Sequence, residues 1–151
     1  YPDSLVRHLE RFNPLLGLGD VNIDAFAVLV EELDHLLTVA DRAVRGRPVS
    51  LLELEHHAGV TKYLTVLHFL GKQTGRRRIA EGLRAWARHN LFERYRQERG
   101  EGEDRYRAAA GLARRHVAYL ETLSVEGRRA ELRAFQRRPF ADTRWMLARV
   151  N

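Results

Sequence analysis

The chain contains no cysteine, which excludes disulfide frameworks, thiolate metal sites and cysteine nucleophiles. Serine is nearly as scarce. Ser4, Ser50 and Ser124 are the three present, and none lies in a Gly-x-Ser-x-Gly elbow. No apolar run approaches the roughly 20 residues that a membrane helix needs, so no membrane partner is expected. Glycine-rich phosphate loops are missing too, because Gly71-Lys72-Gln73-Thr74-Gly75 lacks the Walker spacing. The opening Tyr1-Pro2-Asp3-Ser4 does not have the pattern of a signal peptide. The location expected is intracellular (cytoplasm or nucleoid) or virion, with no evident sign of secretion.

What is present is a chain of 151 residues, 44% apolar and 30% charged, long enough for one domain with its own core. Lysine is limited to Lys62 and Lys72, while 24 of the 26 basic residues are arginine. Arginine offers a planar fork that grips phosphate at two points and stacks on bases. The charge is unevenly spread. Residues 1–75 carry 7 basic and 10 acidic side chains, a balance of −3, and residues 76–151 carry 19 and 10, a balance of +9. A GC-rich genome would account for arginine over lysine, but not for the asymmetry.

Apolar spacing is helical nearly throughout, and the fold class expected is all-α: one helical domain, residues 1–151, of six or seven helices. Its first half is an apolar scaffold and its second half is basic. Helices are predicted over residues 4–12, 23–45, 51–57, 62–70, 76–99, 104–123 and 126–137, with a last turn that Asp142 caps. In the second of these, Phe26, Leu29, Val30, Leu33, Leu36, Leu37, Ala40 and Val44 recur at spacings of 3 and 4 and are assigned to the core. Ser50 with Glu53 makes a capping box.

Four patterns bear on chemistry. Residues 51–70 read either as two short core helices or as a helix-turn-helix. In the second reading Gly59 supplies the turn, Thr61 starts the recognition helix, and Thr61, Lys62, Thr65, His68 and Lys72 are the groups offered to DNA. Glu55 falls where such motifs usually hold a small residue. The second pattern is a basic helical hairpin joined near Gly100–Asp104. Arg76, Arg77, Arg78, Arg84, Arg88, Arg114 and Arg115 are its candidate phosphate contacts, and Arg76 to Arg78 are expected at a helix N-terminus, where free N–H groups also favour anions. The same arginines could instead be a solvated face paired with Glu81, Glu93 and Glu98.

The third pattern is Glu32-x-x-His35 and Glu53-x-x-His56, the spacing of carboxylate-bridged metal bundles. The lone carboxylates such a centre also needs are represented only loosely, by Glu10, Glu93 and Glu121, so no metal or cofactor is expected. The fourth is Arg84-x4-His89, which matches the Arg-x(4–6)-His pattern of helical ribonuclease domains. Random placement of these residue types gives roughly three such matches, so the motif carries no weight.

No constellation with the spacing of a reaction mechanism is found, and a non-enzymatic protein is expected. The function expected is nucleic-acid binding through arginine-rich helices, as a regulator or packaging protein, with DNA preferred over RNA and self-association possible in principle. The alternative is an interaction or assembly subunit with an acidic or apolar protein partner. It rests on apolar residues outside the helical stripes: Leu15, Leu16, Leu18, Phe135, Phe140, Trp145 and Met146.

Overall fold

A computed structural model describes residues 3–76, 78–94 and 103–150. All regular structure among them is helical: α1 (Asp3–Arg11), α2 (Ile23–Val44), α3 (Leu51–Thr74), α4 (Glu81–Arg88), α5 (Glu103–Thr122), α6 (Val125–Arg137) and α7 (Phe140–Leu147). A π-helical stretch, His89–Glu93, prolongs α4. Helix α3 is the central element, with α2 and α5 packed along it. Ile23, Phe26 and Val30 of α2, Val60, Tyr63, Val66 and Leu70 of α3, and Ala113, Val117 and Leu120 of α5 form one apolar core with Leu18, Ala87, Phe92 and Phe135.

Local signals account for several boundaries. Ser50 Oγ accepts a hydrogen bond from the Glu53 N–H at 3.1 Å and starts α3 as the capping box predicts. Gly75, at φ +63°, ends α3 in the left-handed conformation that favours glycine. Ser124 caps α6 by accepting from the Gly127 N–H at 3.1 Å. Asp142 caps nothing: α7 begins after Pro139, which places Asp142 in its first turn.

The predicted break within residues 51–70 does not occur. One helix runs continuously from Leu51 to Thr74, so these residues do not form a helix-turn-helix. Gly59 serves packing instead. A Cβ built there would lie 2.7 Å from the Ala113 Cβ on α5, so the missing side chain is what lets α3 and α5 approach this closely. Thr61, expected to cap a second helix, donates its hydroxyl to Asp34 Oδ1 at 2.7 Å.

Helix α2 also departs from expectation. Its buried positions are Ile23, Phe26, Val30, Asp34, Thr38 and Arg42. The inward face is apolar at its start and polar at its end, while Leu33, Leu36, Leu37 and Val44 are exposed at 47%, 66%, 68% and 89%. The reason is that each inward polar group finds a partner on another helix. Asp34 accepts from His57 Nδ1 at 2.8 Å. Arg42 donates to Glu53 Oε1 and to the Gln136 carbonyl at 2.9 and 3.0 Å, tying α2 to α3 and to the end of α6. Paired in this way, a buried charge is tolerated where an unpaired one is not.

A second polar seam crosses the core between α3, α5 and α6. His56 and His116 are both fully buried, their rings stacked with centroids 5.4 Å apart, and His116 Nδ1 lies 3.3 Å from His56 Nε2. Glu131 Oε1 lies 3.4 Å from His116 Nε2, and Arg138 grips the same carboxylate at 2.8 and 2.9 Å. The Phe135 ring is stacked on His57 and set edge-on to His116.

Candidate nucleic-acid interface

The structure disperses the arginines predicted to share one face. Arg84 and Arg88 sit on α4, where Arg84 Nη2 meets Glu81 Oε2 at 2.8 Å and Arg88 also pairs with Glu81. Both turn inward to Glu121 of α5, Arg88 Nη1 at 2.9 Å and Arg84 Nε at 3.9 Å. The Tyr63 hydroxyl of α3 donates to Glu121 as well, and burial together with that carboxylate raises the Tyr63 pKa. Each of the two side chains is only about one quarter exposed. They therefore join three helices, with their charge matched by two carboxylates. Glu81 is the partner expected from sequence. Glu121, distant in the chain, had no local signal.

Glu121→Gln is expected to destabilise the fold by about 2–3 kcal/mol, since it weakens three charge-assisted contacts at once. A urea midpoint unchanged from wild type would show that these contacts are not coupled to folding.

Arg76 and Arg78 are exposed but do not occupy a helix N-terminus. Helix α4 begins only at Glu81, with Ala80 as its cap, and the dipole of its first turn is complemented by Glu81 itself. Arg77 lies outside the described residues, as do the far end of the predicted 76–99 helix and most of the Gly100–Asp104 turn. Of the groups assigned to DNA reading, His68 and Lys72 are exposed, and Thr61 and Thr65 are half-buried. Lys62 is ion-paired with Glu31.

Arg114 and Arg115 on α5 are exposed, as expected. Arg115 meets residues that the sequence reading assigned to no phosphate site. A shallow groove of about 530 Å³ runs between α5, α7 and the start of α3, lined by Leu52, Leu112, Arg115, Arg144 and Trp145 among others. Trp145 is 64% exposed, and the Arg149 guanidinium stacks over its ring. Arg144 lies over Phe140. Position in α7 is what unites them: a helix of only eight residues presents Arg144 and Trp145 to the flank of α5. Residues 103–150 hold 11 arginines against 6 carboxylates. Two of those carboxylates, Glu121 and Glu131, are already engaged inside the fold.

The other apolar residues outside the predicted stripes divide. Leu18 and Phe135 are core, and Phe140 and Met146 are half-buried. Leu15 and Leu16 are exposed at 76% and 89%. Among the described residues no helix is long and apolar enough to cross a membrane. Neither a protein-family model, nor a curated protein, nor a solved structure matches this chain.

Proposed function

We propose that the protein binds nucleic acid without acting as an enzyme, engaging the phosphate backbone through the α5–α7 face. The observation that carries this reading is the groove in which Arg115 and Arg144 flank the exposed Trp145. Arginines at such a groove attract phosphate by releasing counterions, and an exposed indole offers a platform for an unpaired base. The reading keeps the arginine-dependent binding expected from sequence but moves it from α4 to α7.

The test is fluorescence-polarisation titration against a mixed-sequence duplex and a single strand, at low and at physiological salt. Binding that weakens steeply with salt is expected, and Arg115→Ala with Arg144→Ala should flatten the log–log salt slope by about 1–2. Trp145→Ala should weaken single-strand binding by about 1–3 kcal/mol while affecting the duplex less. Absence of binding at low salt, or a slope indifferent to both arginines, would remove the groove from consideration.

A second reading, an assembly or interaction subunit, is favoured by the exposed leucines of α2. Leu33, Leu36 and Leu37 with Val44 form an exposed apolar stripe on α2. Under this reading the protein self-associates, and Leu36→Glu with Leu37→Glu leaves a monomer in sedimentation velocity.

A further inference from the structure

We propose that Glu31 and His35 of α2, together with Glu55 of α3, form a binding site for a divalent transition ion of the zinc type. One ligand atom from each of the three side chains lies within 4.8 Å of the other two. Ligand atoms around a tetrahedral zinc ion, at about 2.0–2.1 Å from the metal, are separated by roughly 3.4 Å, so modest side-chain rotation closes the set. The backbone positions are already fixed. Glu31 and His35 stand one helical turn apart on one face of α2, and α3 packs along that helix.

Three further observations point to a cation there. His35 Nε2 is shielded from solvent and has no hydrogen-bond partner among the described residues. A buried ring nitrogen left in that condition is costly, and metal coordination at the imidazole would relieve it. Glu55 is partly buried, and its carboxylate lies within 4.8 Å of that of Glu31, so two negative charges face each other. A divalent ion between the two carboxylates turns that repulsion into attraction. Finally, the position already holds a cation: the Lys62 ammonium is paired with Glu31. Lys62 thus balances the two carboxylates in the ion-free protein and competes with the ion for Glu31.

The ligand set restricts the metal. Two carboxylates neutralise a divalent charge, and one imidazole favours zinc, cobalt or nickel over magnesium or calcium. Three protein ligands leave at least one position for water, as in open zinc sites. The sequence pattern Glu32-x-x-His35 picks the right histidine with the wrong carboxylate. Glu32 is exposed, and Glu31, four residues before His35, is the one that faces it.

The test is isothermal titration of the whole chain with zinc chloride at pH 7.5, followed by cobalt(II) absorption spectroscopy. We expect about one equivalent bound, with a Kd on the order of 1 μM. His35→Gln and Glu55→Gln should each weaken binding by roughly 100-fold, with circular dichroism confirming the fold. Lys62→Met should tighten binding, because it removes the competing cation, an effect that a nonspecific surface site would not show. His89→Gln is the control, since His89 and Glu93 form an exposed pair of similar composition with ring and carboxylate 3.5 Å apart. No binding up to about 1 mM, or affinity lost in His89→Gln but kept in His35→Gln and Glu55→Gln, would overturn the assignment. If either ligand variant fails to fold, wild-type cobalt absorption decides: intense visible bands of a four-coordinate ion support the site, and the weak spectrum of hydrated cobalt overturns it.

Discussion

Gly59→Ala is expected to destabilise the protein by about 1 kcal/mol, and Gly59→Val by about 3 kcal/mol or more, although both substitutions favour the helix locally. In an unpacked helix interior, glycine to alanine gains about 1 kcal/mol. Here the new Cβ meets the Ala113 Cβ at 2.7 Å, with Phe92 Cε1 next at 3.7 Å. Ordinary carbon–carbon contact lies near 3.5–4.0 Å. The opposing atom is the first of its side chain, so no rotamer change moves it, and relief requires α3 and α5 to separate. Separation loosens the contacts of Val60, Tyr63, Ala113 and Val117 across the same interface, all at 0–1% exposure.

A double-mutant cycle isolates the effect. Ala113→Gly in the Gly59→Ala background should recover at least about 1 kcal/mol relative to the sum of the single changes. For a domain of this size 1 kcal/mol corresponds to roughly 2–4 °C in Tm, so the valine variant should melt about 10 °C lower. A turn at Gly59, as in a helix-turn-helix, would give no coupling to Ala113, and additive behaviour in the cycle would contradict the close approach described above.

Acidification from pH 7 to pH 5 is expected to cost roughly 4 kcal/mol of stability, mainly through His56 and His116. Burial, followed by the neighbouring His116 and His57, lowers the His56 pKa to about 3. Burial lowers that of His116 to about 4, against the opposing pull of Glu131, whose charge is itself shared with Arg138. Both imidazoles titrate near 6.5 when the chain is unfolded. Below that pH the unfolded chain takes up protons that the folded protein refuses. Stability is therefore complete above pH 6.5 and declines as the pH falls towards the folded-state values. At pH 5 linkage gives about 2 kcal/mol for each ring. Glu55, with its raised pKa, works in the opposite direction, and as a single half-buried group it offsets only part of the loss.

Urea unfolding at pH 7 and pH 5 measures the difference. His116→Gln, which cannot be protonated, should roughly halve the pH-dependent loss whatever its own cost at pH 7. Equal midpoints at the two pH values would mean that the rings are charged or solvated in the folded protein.

Both effects share a cause that the chain does not display locally. Helix existence was legible: the segments 4–12, 23–45, 104–123 and 126–137 differ from α1, α2, α5 and α6 by a residue or two. These depend on apolar period and, for α6, on the Ser124 cap, which act over one turn of chain. The all-α class follows from the same signals. The inward face of α2 was not legible, because a leucine stripe at spacings of 3 and 4 reads as core unless the polar face has partners elsewhere. Asp34, Thr38 and Arg42 find theirs in His57, Glu53 and Gln136.

The candidate interface divides in the same way. The surplus of arginine in the second half is a property of composition and was visible at once. Which arginines are taken up inside the fold depends on Glu81 and Glu121, which engage Arg84 and Arg88, while α7 sets Arg144 and Trp145 beside Arg115. Gly59 shows the limit most plainly. Glycine permits both a turn and a close helix contact, for the same lack of a Cβ. By itself the sequence determined that this protein is helical, where most helices begin and end, and that its positive charge is arginine concentrated in one half. Tertiary structure decided which faces are buried, which charges are neutralised, and that residues 51–74 form one helix, because each depends on a partner remote in the chain.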